Sequence, residues 1–261
     1  MSEREKILRY YRDAGDAELA GRLTDLAEGA LKSRKYRISE FLDPHGYSIA
    51  ETIAAHYDRI TLETDGGFQG AERVKVAFVE EDFLGSVDFG LAALSIIVDV
   101  RYYQISHRDV LGSVLGLGLK REVIGDIVMG GQGCQVVCET AMADYISRNL
   151  LKIGAASVEI QPLPLENISP KEERVKEIRN TVASLRLDVV AAAGFGTSRT
   201  KMAAEIAADK VKINWKDVKS ASQPVKQGDI ISMRGRGRVE VSEVLGQTKK
   251  GRISVLLKRF I

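Results

Sequence analysis

The residues best suited to chemistry in this chain lie in the run Gly196-Thr197-Ser198-Arg199-Thr200-Lys201. A helix start leaves backbone N–H groups unpaired in a positive field, which suits it to receive a phosphate. Thr197 or Ser198 supplies the cap, and Arg199 and Lys201 project from the first turn. An arginine forks onto a phosphate through two parallel hydrogen bonds, whereas a lysine acts as a mobile point charge. Lys210, Lys212, Lys216 and Lys219 extend the field over the following strand and turn. Arg234, Arg236 and Arg238, alternating with glycine, and the group Lys249, Lys250 and Arg252 add clusters around a final hairpin. The chemistry this implies is anion binding.

The charge distribution agrees. Residues 182–261 carry 16 Lys/Arg and 7 Asp/Glu, a net of +9, while the other residues hold 22 and 29, a net of −7. The whole-chain figure of +2 conceals this split. A basic module on an acidic body implies a polyanionic partner, nucleic acid ahead of an acidic protein or a membrane surface.

Other chemistry finds little support. His45, His56 and His107 are the only histidines, and none has a second histidine at metal-ligand spacing. His107-Arg108-Asp109 has the residue types of an acid–base site, but a histidine at a helix start with aspartate in the first turn is also favourable local electrostatics. A structural or RNA-contact role is the expectation for His107 and Arg108. Cys134 and Cys138 fall on one face of a strand by its period of two, and are expected to pack as small buried hydrophobes. The glycines of GSVLGLGLKR (112–121) lack both the Walker ending and the dinucleotide order, so no nucleotide loop is read there. Lys120 and Arg121 at its end are candidates for a second RNA or ribosome contact, with ordinary solvation as the alternative reading. No catalytic dyad, cofactor site or metal site is expected, and Asp188 in Arg186-Leu187-Asp188 is read as an ionic tie.

These groups must be positioned by several elements. Asp16 is placed to cap a helix carrying Leu19, Leu23, Leu26, Ala27 and Leu31, and Asp43-Pro44 starts another with Ile49, Ile53 and Tyr57. Residues 59–80 read as a wide hairpin around Gly66, Gly67 and Gly70. Strands over 93–100, 125–129, 134–138 and 156–163, with helices over 107–119 and from Thr140 to Leu151, give the order βαββαβ. That is the split βαβ, ferredoxin-like plan shared by RNA-recognition modules and by many other domains. Ser169-Pro170-Lys171-Glu172 offers a cap, an N1 proline and a capping-box glutamate, and Val175, Ile178 and Val182 then form one stripe. A linker helix over 166–181 is predicted. The terminal module reads as a helix over 184–195 closed by Gly194, a second helix near 198–208, strands over 210–214 and 225–233, and a hairpin of 239–245 with 252–260. The expected fold is α+β multidomain: helix and hairpin over 1–83, a ferredoxin-like domain over 84–165, the linker, and a small basic α+β domain over 182–261.

With 44% hydrophobic and 28% charged residues, the chain has the composition of a folded soluble protein. No apolar run approaches a membrane span, and residues 1–12 are too charged for a secretory signal. A monomer in the cytoplasm, away from membranes, is expected.

Residues 186–235 resemble the RNA-binding domain named after small-subunit ribosomal protein S-four. The RLD start, the SR before the second helix, the V-x-I-N strand and the V-x-x-GD-x-I ending occur together and in order. The resemblance implies that two helices and the following turn receive structured RNA. Arg186, Ser198, Arg199, Lys201, Lys210 and Lys212 match the positions expected to line that surface. The family usually has glycine where Asp209 and Trp215 stand; aspartate tolerates a left-handed turn, whereas Trp215 leaves the turn type and a base-stacking role open.

FLDP (41–44), GGFQGAERVKVAF (66–78), SHRDVLGSVLGLGLKREVIGDIVM (106–129) and RGRGRVEVSEVLGQTKKGRISVLLKRF (234–260) together resemble the bacterial YlmH family over nearly the full length. That resemblance implies a ribosome-associated, non-catalytic factor binding rRNA or tRNA on the large subunit, in rescue or quality control of stalled peptidyl-tRNA. Some relatives carry a cell-division label and others a photosystem label. Two rival readings are an RNA-modifying enzyme of the pseudouridine synthase type, whose aspartate-centred pocket is not legible here, and an adaptor linked to cell division that grips an acidic protein.

Overall fold

The computed structural model describes residues 3–12, 16–170, 174–218, 220–249 and 251–260. Residues 1–171 and 172–261 are two compact units. Among the described residues, no helix is long and apolar enough to cross a membrane.

The first unit opens with α1 (Glu3–Arg12), α2 (Ala17–Ser33), β1 (Tyr36–Ile38), α3 (Pro44–Ala54), β2 (Ile60–Asp65) and β3 (Lys75–Glu80). The strands form an antiparallel sheet in the order β1-β3-β2. Leu23 and Ala27 of α2 and Ile49 and Ile53 of α3 pack on Val76 and Phe78 of β3. Asp43 caps α3 as its sequence implies, accepting from the Gly46 N–H at 2.9 Å, with Pro44 in the first turn. Asp16 stands at the N-cap position of α2, but its carboxylate does not cap; it faces His45 Nε2 at 3.0 Å.

There follow β4 (Leu91–Val98), α4 (His107–Leu115), β5 (Ile124–Gly130), β6 (Gly133–Glu139), α5 (Thr140–Asn149), β7 (Lys152–Ile153) and β8 (Ala156–Leu163). The order β5-β6-β4-β8-β7, every pair antiparallel, is the ferredoxin-like plan with a two-residue strand added at one edge. Val110 and Val114 of α4 and Ile146 of α5 cover Leu94, Ile96 and Val136 on one face. Part of the opposite face packs on Phe41 and Ile168, with Phe68 and Leu165 alongside.

A partly buried polar joint ties this sheet to the preceding elements. Arg73 donates from Nε to the Ile124 carbonyl at 3.1 Å and from a terminal nitrogen to the Phe41 carbonyl at 2.7 Å. Asp126 accepts from the Glu72 and Arg73 N–H groups at 2.6 and 3.3 Å. Lys75, nearly buried, pairs with Glu139 at 2.9 Å.

The second unit consists of β9 (Val175–Val182), α6 (Leu187–Phe195), α7 (Arg199–Ala207), β10 (Val211–Ile213), β11 (Lys216–Asp217), β12 (Ile230–Met233), β13 (Gly237–Gln247) and β14 (Ile253–Phe260). Its six strands are ordered β11-β10-β12-β13-β14-β9. Leu187, Val190 and Phe195 of α6 and Met202 and Ile206 of α7 pack with Val211, Ile231, Val239, Val241, Val255 and Leu257 of the sheet.

Two expectations are corrected here. The predicted linker helix is a strand over its described C-terminal part, because β9 zips antiparallel onto β14 from Val175↔Phe260 to Val182↔Ile253. Lys171 and Glu172 of its expected start lie outside the described residues. The helix expected to close at Gly194 instead ends at Gly196, whose φ of 62° is the left-handed conformation glycine adopts freely. Gly194 lies inside α6 for a different reason: a Cβ there would meet Val239 Cγ1 at 2.6 Å, so only glycine lets the helix approach β13 this closely.

Candidate nucleic-acid interface

Asp188 organises the first part of the basic surface. The chain enters α6 with the Leu187 and Asp188 N–H groups bonded to the Gln223 and Ala221 carbonyls, which sets the carboxylate inside the fold. Its side chain is 5% exposed and accepts from Arg186 through two contacts of 3.1 Å and from Arg199 Nε at 2.8 Å. Burial alone would push the Asp188 carboxyl up; the hydrogen bonds from both arginines outweigh it and hold the group below its usual range. The expected ionic tie is present, and it joins the two arginines assigned to the RNA surface. Both arginine side chains remain substantially exposed, at 38% for Arg186 and 60% for Arg199.

Ser198 caps α7 as expected, accepting from the Lys201 N–H at 3.2 Å. One turn on, Glu205 accepts from Lys210 at 2.8 Å. That hydrogen bond, with the fields of Lys210, Lys201 and Arg236, holds the Glu205 carboxyl below its ordinary range. The Arg234 N–H donates to the Lys210 carbonyl at 2.9 Å, so the turn before β13 is laced to the end of α7. Lys201, Lys210, Arg234 and Arg236, far apart in the chain, are thereby brought to one side of the unit.

The other expected cations are distributed differently. Lys212 pairs with Asp217 at 3.1 Å across the β10–β11 hairpin, with Lys216 on the same hairpin. Arg238 lies over the Phe260 ring at 5.4 Å. Arg252 donates to Thr181 on β9 through its Nε and a terminal nitrogen, which ties the final hairpin to the sheet edge. Lys249 is exposed at the far end of that hairpin, and Lys219 and Lys250 lie outside the described residues. β13 runs 11 residues between the Arg234–Arg236 turn and the Lys249 turn. At ~3.3 Å per residue the two turns stand roughly 35 Å apart. They form two patches.

In the first unit, Ser106 and Asp109 form a capping box at the start of α4, which accounts for Asp109 without acid–base chemistry. Partial burial, then the field of Arg121, lowers the pKa of His107. Arg108 and Lys120 are exposed. Arg121 is half-buried, and one terminal nitrogen of its guanidinium donates inward to the Ile124 and Gly125 carbonyls. Burial, then the neighbouring Arg73, brings its pKa to about 10. The face of the ferredoxin-like sheet away from its helices presents Ser95 and Ile97 from β4, Gln135 from β6 and Glu159 and Gln161 from β8, with no aromatic platform on these strands. The exposed rings among the described residues of this domain are Tyr102 and Tyr103 in the β4–α4 loop and Tyr145 on α5; Arg101 lies 5.6 Å from the Tyr102 ring. Cys134 and Cys138 are free and buried on the helix side, and burial pushes both thiols up to about 12. Among the described residues, no group of three or more His, Cys, Asp or Glu side chains is arranged to hold a metal.

Comparison with known proteins points the same way. Residues 85–167 match the model of the RNA-binding domain in YlmH, and residues 185–231 match the S4 domain, the S-four type described above. The chain is 32% identical over 226 residues to the ribosome-associated protein quality control protein P2 of Bacillus subtilis (strain 168), covering 86% of this chain and 88% of that protein. A solved structure of the cell division protein ylmH from Streptococcus pneumoniae matches with a TM-score of 0.52 at 21% identity, over 59% of this chain and 95% of its own; this likeness concerns the fold alone.

Proposed function

The chain belongs to the YlmH family, and from that premise we propose that it binds structured rRNA or tRNA on the large ribosomal subunit and acts there by binding, without a reaction of its own. The observation that carries this reading is the Asp188-centred clamp. It holds Arg186 and Arg199 beside the capped start of α7, with Lys201, Lys210, Arg234 and Arg236 on the same unit. Fixed cations and free helix-start N–H groups recognise phosphates held at set spacings, which folded RNA provides. The name of the Bacillus subtilis relative favours a role in ribosome-associated protein quality control. The ferredoxin-like domain would add contacts through Arg108 and Lys120.

The test is binding of the full chain to purified large subunits and to their deproteinised rRNA over a salt series. Affinity should fall with salt, and the slope of log K against log salt should lessen by about 0.9 or a little under for each phosphate contact removed. Arg199→Ala should weaken binding roughly tenfold or more, as expected for a lost charged hydrogen bond. Arg199→Lys should restore only part, since lysine keeps the charge without the fork. Salt-independent binding, or full affinity in Arg199→Ala, would refute the assignment. A modified nucleoside appearing in the treated RNA would favour the enzyme reading instead.

A further inference from the structure

Trp215 occupies a backbone position that favours glycine. β10 and β11 are joined by two residues, Asn214 and Trp215, with φ of 48° and 64°. A two-residue hairpin loop with both central residues at positive φ is a type I′ turn, whose preferred sequence is Asn-Gly. Asn214 fits, and it is anchored twice over. Its side chain donates to Asp229 at 2.9 Å and accepts from the Ile230 N–H at 2.8 Å, while its own N–H donates to the Ile230 carbonyl. The turn is therefore held firmly, and a bulky residue is held in the left-handed region with it.

The indole is not part of the apolar core of this unit, which is built from α6, α7 and the sheet strands. Trp215 is half-buried, Lys212 and Lys216 flank it on the same hairpin, and the surrounding module carries net +9. A side chain kept against backbone preference, with no place in the core, is a candidate for function.

The geometry points to Trp215 as a stacking platform for an unpaired nucleobase of the bound RNA, with Lys216 beside it to meet the adjoining phosphate. This rests on the RNA-binding reading above and adds a recognition mode to it. Flat π faces receive unstacked bases irrespective of sequence. An anchored turn presents the ring with little motion left to lose.

The experiment exploits the fact that Trp215 is the only tryptophan in the chain. Full-length protein is titrated with deproteinised large-subunit rRNA while indole emission is followed, and affinity is measured separately by filter binding for wild type, W215G, W215L and W215F. Stacking should quench the emission and shield the indole from acrylamide. W215G and W215L should each bind about fivefold or more weakly. W215F, which keeps a ring, should recover most of what W215L loses. The thermal midpoint of W215G should be unchanged or higher, because relief of the left-handed strain offsets the added freedom of its unfolded chain.

Wild-type binding no stronger than that of an unrelated acidic protein would remove the RNA reading itself. Strong, Arg199-dependent wild-type binding, with W215L equal to wild type or emission unchanged, would overturn the stacking assignment alone. A fall in the W215G midpoint that matches its loss of binding would show a structural role and equally overturn it. Quenching by an acidic protein but not by rRNA would transfer the surface to a protein partner and refute the proposal.

Discussion

Replacing Asp188 by asparagine tests the centre of the basic surface. The carboxylate is 5% exposed and receives three short contacts from two guanidinium groups. A hydrogen bond to a charged group contributes about 1.5–3 kcal/mol when shielded, but both arginines are over a third exposed and their share must be discounted. A net loss of about 2 kcal/mol is the reasonable figure for Asp188→Asn, which keeps the shape and loses the charge. Urea unfolding of the full chain, followed by Trp215 emission, reports on this unit because the only tryptophan lies in it. With a slope of about 1 kcal/mol per molar urea for a unit of this size, the midpoint should drop by roughly 2 M. The pH dependence gives a second handle. The native carboxyl titrates below its unfolded value, so its stabilising contribution is full above the unfolded pKa of about 4 and is lost as pH falls through the native value. The gap between wild type and Asp188→Asn should therefore be present at pH 7 and shrink progressively below about pH 4. A midpoint shift under about 0.5 M at pH 7, or a gap that widens on acidification, would refute the reasoning.

Two other outcomes follow from packing. Gly194→Ala places a methyl 2.6 Å from Val239 Cγ1 and should destabilise the second unit by about 1–3 kcal/mol; adding Val239→Ala should recover part of that loss in the same urea assay. Cys134 and Cys138, with thiols pushed up to about 12 by burial, should resist iodoacetamide at pH 8 in the native protein and react only when urea unfolds the first unit, as mass spectrometry would show.

What the sequence disclosed follows the range of each interaction. The ferredoxin-like order was legible because its strands are short β-branched runs separated by glycines and capped helices, all local signals. Ser198 and Asp43 were legible as caps for the same reason. The misreading of β9 shows the limit. Ile178 and Val182 stand four apart, which places them on one face of a helix but equally on one face of a strand. Only the partners, Leu257 and Ile253, more than 70 residues away, decide between the two. Arg121 carried no local sign of an inward role, since that depends on Arg73 and on carbonyls folded against it. Trp215 is an unusual residue at a position where the S-four pattern has glycine, and the positive φ values of Asn214 and Trp215 give that oddity a physical content.

The acidic residues of the second unit explain how so basic a surface is held in order. Two guanidinium groups brought together beside a helix start repel one another and resist being fixed in one rotamer. Asp188 removes both difficulties for Arg186 and Arg199 from beneath, while the exposed parts of the two groups remain open to an anion. Glu205, 20% exposed, pairs with Lys210, whereas Lys212 and Asp217 form a solvent-exposed pair that constrains little. A tally of charge would count these three carboxylates as losses to a +9 module. The placement of Asp188 and Glu205 says otherwise: each holds in place a cation that the S-four pattern assigns to RNA. Lys249, exposed at the far end of the hairpin, contributes to the diffuse field at that separate patch. The distinction between cations that are counted and cations that are aimed is what a sequence conceals and this arrangement of carboxylates reveals.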